Sequence, residues 1–478
     1  MSAPAIVPNT ASLTIVDAAR RLRDGSLTSV ALTEACLARI ARDNDRLKAF
    51  ILVTADAARA QAEAADRELA SGQDRGALHG IPIAIKDIVD MEGLPTTCAS
   101  RVRDGHVAEK DAAVVAHLRR AGAVITGKTN LHEFAMGTTS EDSAYGAARH
   151  PHDDTRSPGG SSGGSAIAVV CGMSLGAVGT DTGGSIRIPS GVCGLVGIKP
   201  AFNELSCDGV VPLSRSLDHV GPLARTVTDA WLLYDVMAGR DAPINPPSAG
   251  AAGGAKGGTR NDADPANSMP ASMTMTKPRR AAIPSGYFID RLQPDVRRGF
   301  DEAVAWLRGA GVQIEHVELP HAESIAPIYL HICLAEAAAF HARTLETMPE
   351  AYTSAVRMRF EAGRFVLAED YLRALAGRDR LRAGVSAALN AHQLLLLPTL
   401  PIVAPPIGAA TVPMGETEEP VRAAMLRLTQ PFNLTGHPAI TLPVRPASGG
   451  LPVGLQLVGS DTRRLLAAAA WCERQLQP

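Results

Sequence analysis

Two serines set among glycines are the most chemically suggestive feature of the chain. The stretch Ser157–Pro200 reads SPGGSSGGSAIAVVCGMSLGAVGTDTGGSIRIPSGVCGLVGIKP and places Gly159-Gly160-Ser161 and Gly183-Gly184-Ser185 with their serines 24 residues apart (185 − 161 = 24). Glycines allow tight turns and close backbone approach. A serine on such a turn can present its hydroxyl outward while the neighbouring amides face a developing negative charge. Gly/Ser-rich segments are also ordinary flexible linkers. Here the apolar runs Ala166–Val170 and Val192–Val196 follow the two glycine clusters, so two structured interior loops are expected.

A serine hydroxyl is a weak nucleophile and needs a base. Histidine is the usual one. None of the 13 histidines sits in a segment like a serine-protease motif, and no G-x-S-x-G elbow surrounds Ser185. Lysine is the other option. Lys86 closes the apolar run Ile81–Ile85 in GIPIAIKD, and a lysine ending a buried strand is partly desolvated, which lowers its pKa. Unassisted, the demand is severe: at a pKa of about 10.4 only about one lysine in 2,500 is neutral at pH 7, a deficit of roughly 4.6 kcal/mol. Burial beside neutral hydroxyls removes much of it. The competing reading is a salt bridge from Lys86 to Asp87 or Asp90, and spacing alone leaves both open.

The elements that must hold these residues follow from periodicity. Leu13, Val16, Ala19 and Leu22, then Leu32, Ala35, Leu37 and Ile40, recur at helical spacing, with Gly25 as a C-cap between them and the Ala-rich run Ala55–Leu69 behind. Strands are expected at Ile81–Ile85 and Ala123–Thr126, and helices at Ala112–Arg120 and Ala166–Cys171. Farther on come a helix over Val296–Gly309, strands at Leu394–Leu397, Ala439–Val444 and Val453–Val458, and a closing helix over Arg463–Gln475. Strands alternating with helices imply an α/β sheet with helical covering. The chain divides into an N-terminal helical segment (1–70), a core (71–240), a Pro/Gly-rich linker with few large apolar residues (241–279), and the remainder of the same α/β domain (280–478).

Two motifs are decoys. Gly122–Thr129 matches G-x-x-x-x-G-K-[ST], but Val124, Ile125 and Thr126 occupy its variable positions and a helix precedes it, so its amides are expected in a sheet and not around phosphate. His150-x-His152 lies in a Pro/Asp loop with no third ligand at usual spacing.

Ser157–Pro200 with GIPIAIKD upstream resembles the amidase signature family. GKTNLHEFAMG (Gly127–Gly137), GVVPLSRSLDHVGPLARTV (Gly209–Val227), LLPTLPIVAPP (Leu396–Pro406), PFNLTGHPAITLPV (Pro431–Val444) and LPVGLQLVG (Leu451–Gly459) are also similar to that family. The likeness runs from about residue 80 to residue 459 and is thinnest over the first 70 residues and over 240–395. It implies an α/β fold with a large mixed β-sheet core covered by helices on both sides. It implies an amidase that turns a linear carboxamide into a carboxylate and ammonia or an amine through a serine-linked acyl-enzyme. Ser185 would be the nucleophile, Ser161 the bridging serine after a cis Gly160–Ser161 bond, and Lys86 the base. The backbone N–H groups of Thr182, Gly183, Gly184 and Ser185 would form the oxyanion hole.

By the same resemblance Met136 and Gly137 line the pocket, although core packing is the ordinary use of a methionine. Ser162 is either a site hydroxyl or a turn serine. Arg187 either meets a substrate carboxylate or pairs with Asp181, and the ion pair is preferred. Pocket walls fall in 280–395, around Tyr329, Phe340 or Tyr371, and homodimerisation rests on the resemblance alone. Two other readings stay within the family: the glutaminase (A-type) subunit of a tRNA-dependent amidotransferase, and a carbamate or ester hydrolase. IRIPSGVCG (Ile186–Gly194) and AFNELSCDGVV (Ala201–Val211) resemble stand-alone bacterial amidases more, which puts that reading first. A non-catalytic homologue is disfavoured because Lys86, Ser161 and Ser185 are all present.

Composition narrows the partners. Net charge is −2, no basic stripe occurs and aromatics are 4%, so a small-molecule amide is expected as partner and nucleic acid is not. Seven cysteines without a C-x-x-C pair point to a reducing compartment. Met1–Thr14 lacks a secretory pattern and no uninterrupted apolar stretch is long enough to span a bilayer. A cytoplasmic enzyme with no membrane partner, no metal and no cofactor is expected.

Overall fold

The chain opens on three helices and a short strand: α1 (Ile15–Arg23), α2 (Ser29–Leu47), β1 (Phe50–Val53) and α3 (Ala55–Ala70). The structure is a computed structural model that describes residues 8–240, 274–444 and 450–476. Thr14 caps α1 by accepting the Asp17 N–H at 3.0 Å, and Gly25 follows the helix with φ +74°. The strand β1 corrects the all-helical reading of this segment. Four residues, FILV, carry too short a pattern to announce a strand. Antiparallel pairing with β3 (Val124–Thr129), as Phe50↔Thr129, makes it one.

The next stretch runs β2 (Pro82–Lys86), α4 (Ala113–Arg120), β3, α5 (Gly163–Val170), β4 (Gly176–Thr180), α6 (Arg187–Cys193), β5 (Val196–Lys199), β6 (Val220–Ala224) and α7 (Val227–Met237). After it come β7 (Arg280–Pro284), α8 (Pro294–Gly309), β8 (Gln313–Val317), α9 (Ile325–Thr347), α10 (Ser354–Gly363), α11 (Ala368–Ala391) and β9 (Leu394–Pro398). A hairpin of β10 (Thr411–Met414) and β11 (Thr417–Pro420) leads to α12 (Val421–Leu426), α13 (Gln430–Thr435), β12 (Ala439–Val444), β13 (Val453–Val458) and α14 (Thr462–Leu476). Most of the linker reading at 241–279 falls on 241–273, which lie outside the described residues; 274–278 have no regular structure.

Eleven strands form one mixed sheet in the order β1-β3-β2-β4-β6-β5-β12-β13-β9-β7-β8. The expected α/β architecture is present. The central strands are buried along their whole length, as in PIAIK of β2, where a buried strand was expected, and GAVGT of β4, where none was read from the sequence. Sheets covered on both faces read as continuous apolar runs, without alternation. The Gly122–Thr129 decoy is indeed sheet: β3 pairs in parallel with β2, and Lys128 is buried against Asp87 at 3.0 Å.

The helix Ala322–Thr347 is long and apolar enough by composition to cross a membrane, with a mean hydropathy of 1.4 in its best window. That differs from the reading of the sequence, where His331, Glu336 and His341 interrupt the run. In this fold 44% of the window is buried, with Ile325, Ile328, Tyr329, Ile332 and Cys333 turned inward.

Candidate active site

Two parallel strands and two helix starts build the site. β2 and β4 run side by side with Ile85 level with Val178, so Lys86 and Thr180 emerge together at their carboxyl ends. That end of an open α/β sheet is where ligands gather. Ser161 and Ser162 directly precede α5, and Ser185 lies in the turn between β4 and α6. The helix α5 begins at Gly163, earlier than expected. A Cβ at Gly163 would strike Ser140, and one at Gly164 would strike the Ala49 and Asn130 backbone. The second glycine pair of GGSSGGS therefore serves close packing of a helix start, while Ser161 sits where the Gly160–Ser161 peptide is cis.

Lys86 is completely buried and its amine meets only hydroxyls. Nζ lies 2.7 Å from Ser161 Oγ, 2.9 Å from Ser162 Oγ and 2.7 Å from Thr180 Oγ1. The salt bridge entertained for it goes elsewhere, because Asp87 pairs with Lys128. Burial pulls the Lys86 pKa down to about 7, against the opposing pull of the Asp181 and Asp218 carboxylates. The start of α5 acts the same way, since the positive end of a helix dipole beside Ser162 disfavours an ammonium.

The hydroxyl protons complete the picture. Ser162 gives its own proton to the Thr180 carbonyl at 3.2 Å, so towards Lys86 it only accepts. A neutral amine has two N–H groups and one lone pair. It can donate to Ser162 and Thr180 and accept from Ser161.

The turn carrying Ser185 is pinned by groups from distant parts of the chain. Trans peptides oppose each C=O to the next N–H, so tying a carbonyl aims the following amide. The Asp181 carbonyl accepts from His219 N–H at 3.1 Å and from Asn433 Nδ2 at 2.9 Å. The Gly183 carbonyl accepts from Thr429 Oγ1 at 2.6 Å, and the Gly184 carbonyl from Ile188 N–H at 2.6 Å. The amides of Thr182, Gly184 and Ser185 are thereby turned to the opposite side. None of the N–H groups of Thr182, Gly183, Gly184 and Ser185 donates to a described residue. Buried amides are almost always paired, so four consecutive open donors in a buried turn are exceptional. Gly184 has φ +143°, a region side chains avoid, and a Cβ there would hit the Thr429 hydroxyl. At Gly183 a Cβ would hit the Tyr329 hydroxyl.

Beneath the turn lies a dry ion pair. Arg187 Nη2 meets Asp181 Oδ1 at 2.8 Å with both side chains wholly buried. Arg187 also donates to Gln456 Oε1 at 2.7 Å and to Asn433 Oδ1 at 2.7 Å. Burial alone would raise the Asp181 pKa, but the Arg187 guanidinium outweighs it and holds the carboxyl well below the usual range. The ion-pair reading of Arg187 thus agrees with the structure.

The structure gathers Lys86, Ser161 and Ser162 directly. Ser162 N–H also donates to the Ser185 carbonyl at 3.2 Å. Ser185 Oγ itself makes no hydrogen bond among the described residues, and its 6% exposure contrasts with complete burial of Ser161. Such contacts commonly tighten only when substrate is bound. Met136 is buried, with its carbonyl accepting from Arg359 Nη1 at 3.2 Å and Arg422 Nη1 at 3.4 Å. Gly137 packs so tightly that a Cβ would enter the His132 ring. Of the wall candidates, Tyr329 touches the turn, Tyr371 donates to Glu336 at 2.9 Å, and Phe340 is 44% exposed. Sequence reasoning missed Thr180, Asp218, Thr429 and Asn433. Thr180, Asp218 and Asn433 lie inside stretches singled out from the sequence, and Thr429 lies outside them.

The amidase family model matches residues 31–463. The chain belongs to the amidase family. It is an enzyme acting on amides, as its relatives are. The A-type chain of the glutamyl-tRNA(Gln) amidotransferase of Roseiflexus sp. (strain RS-1) is 38% identical over 472 residues, 94% of this chain and 92% of that one. Its counterpart in Geobacter metallireducens is 36% identical, covering 94% and 93%. Among solved structures, an amidase superposes with a TM-score of 0.86 at 36% identity, covering 97% of this enzyme and 100% of that chain. A chain of a vestigial protein complex that reveals the evolutionary origins of an s-triazine catabolic enzyme reaches 0.86 at 33%, covering 97% and 98%. The A-type amidotransferase chain from Thermotoga maritima reaches 0.75 at 31%, covering 98% and 96%.

Proposed function

We propose that the enzyme hydrolyses a carboxamide with Ser185 as nucleophile, Ser161 as bridging hydroxyl and Lys86 as base. Neutral Lys86 accepts the Ser161 proton while Ser161 takes that of Ser185. Ser185 Oγ attacks the amide carbon, and the oxyanion settles against the open amides of residues 182–185, each well-placed donor being worth about 3–4 kcal/mol. The C–N bond breaks as the relay returns the proton to the leaving nitrogen. Water then attacks the acyl-enzyme by the same path and frees the carboxylate. The observation that carries this reading is the buried Lys86 amine bonded to three hydroxyls and to no carboxylate.

The Roseiflexus and Geobacter relatives favour the glutaminase-subunit reading over the stand-alone one placed first from the sequence, because both are amidotransferase subunits. The two readings share the acyl-enzyme and differ in the fate of ammonia, released to solvent or passed to a partner. The closer superposition on the amidase than on the Thermotoga chain, 0.86 against 0.75, supports the stand-alone form.

The deciding experiment measures ammonia from glutamine, small aliphatic amides and arylalkyl amides, with Ser185→Ala as blank. Release from non-glutamine amides by the wild type alone supports the stand-alone hydrolase. Release confined to glutamine supports the glutaminase-subunit reading. No release from any of them sinks the stand-alone amidase and directs attention to partner-dependent, carbamate or ester chemistry.

A further inference from the structure

The loop before β6 reaches into the oxyanion turn through one carboxylate. Thr182 Oγ1 donates to Asp218 Oδ1 at 2.6 Å. The other oxygen, Oδ2, accepts the N–H groups of Leu213 at 3.0 Å and Ser214 at 3.1 Å. Next to Asp218, His219 exchanges backbone hydrogen bonds with Asp181 at 2.8 and 3.1 Å, prolonging the β4–β6 ladder by one step. The loop is itself clasped from outside. Glu336 of α9 accepts from Ser214 Oγ at 2.7 Å, Ser216 N–H at 3.0 Å, Ser216 Oγ at 2.6 Å and Tyr371 of α11 at 2.9 Å.

Residues 182–184 need this anchoring more than an ordinary turn would. Gly183 and Gly184 have no side chains to hold them, and glycine carries the largest conformational freedom in the chain. Asp181 braces the far side of the turn by accepting the Ile186 and Arg187 N–H groups, and within 182–184 Thr182 is the one residue whose side chain can fix the local backbone. Its hydroxyl is fixed by Asp218 alone among the described residues.

We propose that Asp218 is a positioning residue for the oxyanion turn, acting through the Thr182 hydroxyl to aim the amides that receive the developing charge. The inference rests on the reading of Ser185 as nucleophile. Asp218 does not touch the substrate. It holds the turn against the loop 213–219, so the donors stay aligned when the carbonyl oxygen moves on becoming tetrahedral. A rival explanation gives Asp218 only an electrostatic effect on Lys86. Burial raises the Asp218 pKa to about 7 against the donors it accepts, and its charge opposes the lowering at Lys86. The rival predicts that Thr182→Val, which removes a hydrogen bond holding the Asp218 carboxyl down, shifts the pH profile through Lys86 and leaves the plateau kcat unchanged.

The test is steady-state kinetics of the whole enzyme on its best amide substrate, for Thr182→Val, Thr182→Ser, Asp218→Asn and the Val/Asn double variant. Loss of one oxyanion donor lowers kcat by about 10²–10³-fold, so misaiming one is expected to cost about tenfold. Thr182→Val and Asp218→Asn should each lower kcat about tenfold with KM within about twofold, Thr182→Ser should stay within about twofold of wild type, and the double variant should be no slower than the slower single. Wild-type kcat in Thr182→Val overturns the inference. So does equal loss in the Ser and Val variants, or losses that multiply in the double. If Asp218→Asn does not fold, the Val/Ser pair decides by itself. Turnover surviving in Ser185→Ala overturns the underlying reading instead, whatever the Thr182 variants do.

Discussion

The stretch 157–200, which holds the Ser185 turn, and the helices α9–α11, of which α9 meets that turn through Tyr329, are built on opposite principles. In the first, every residue except Val170, Cys171 and Gly194 is buried, and hydrogen bonds reach it from residues up to 269 positions away in sequence. In the second, one face packs inward while Leu330, Phe340, Met358, Phe365, Leu367 and Leu372 stand exposed; Val107 is the remaining exposed large apolar residue among those described. Dry, pinned backbone holds donors and a lysine to narrow tolerances, because displacement would leave buried polar groups unpaired. Half-solvated helices can change side chains at little cost in stability. The difference teaches that the groups of the proposed chemistry sit in the sheet-end core, where little can change, while the outer helix faces are free to vary.

The sharpest way to break this contrast is at the proposed nucleophile. Ser185→Ala is expected to lower turnover by about 10⁵-fold or more with an unchanged fold, read by kinetics and circular dichroism. Retained turnover would remove the core from the chemistry. Lys86→Ala should follow with a loss of up to about 10⁴-fold, and Lys86→Arg should not rescue it, because a guanidinium does not give up its proton.

The wild-type pH profile tests the same residue. As the proposed base Lys86 must be neutral, and its pKa is lowered to about 7. The kcat/KM therefore rises about tenfold per pH unit below that value and levels off above it. A profile flat from pH 5 to 8 would exclude Lys86 as the base.

Ion pairs sharpen the comparison on stability. Arg187→Met strands the buried Asp181 carboxylate and should cost about 3–5 kcal/mol in urea unfolding. Arg373→Met, at a pair 73% and 30% exposed on α11, should cost under about 1 kcal/mol. Smallest of all, Phe365→Ser, at a side chain 83% exposed, should change stability by no more than about 0.5 kcal/mol. A larger loss would mean that the turn between α10 and α11 is more constrained than its exposure indicates.

Much of this was legible beforehand. Lys86 follows a fully apolar run, and the strand expected there is β2, shifted by one residue at each end so that Lys86 is its last residue. The glycine pairs foretold interior turns, since linker composition does not alternate with core sequence. What stayed hidden has physical reasons. Strand β1 has four residues and exists through its pairing with β3. Helix α5 begins inside a Gly/Ser cluster whose propensity opposes helix, and the Asn130 and Ser140 backbone and side chains pressed against it require glycine there. Thr180 reads as an ordinary strand residue until its parallel neighbour brings Lys86 alongside. Thr429 carries no local sign that its hydroxyl will hold the Gly183 carbonyl 246 residues away.

The sequence by itself determined which groups could react, because the chemistry open to a serine or a lysine is a matter of side-chain type, and the glycines and the apolar run that frame them are local patterns. Tertiary structure alone decided their state. Lys86 is dry and surrounded by hydroxyls because β2 and β4 end together over the start of α5. The amides of the Ser185 turn are open and aimed because carbonyls beside them are taken by Thr429, Asn433 and His219. Desolvation and the direction of a dipole depend on what surrounds a group from every side, and those neighbours come from parts of the chain that no local pattern connects.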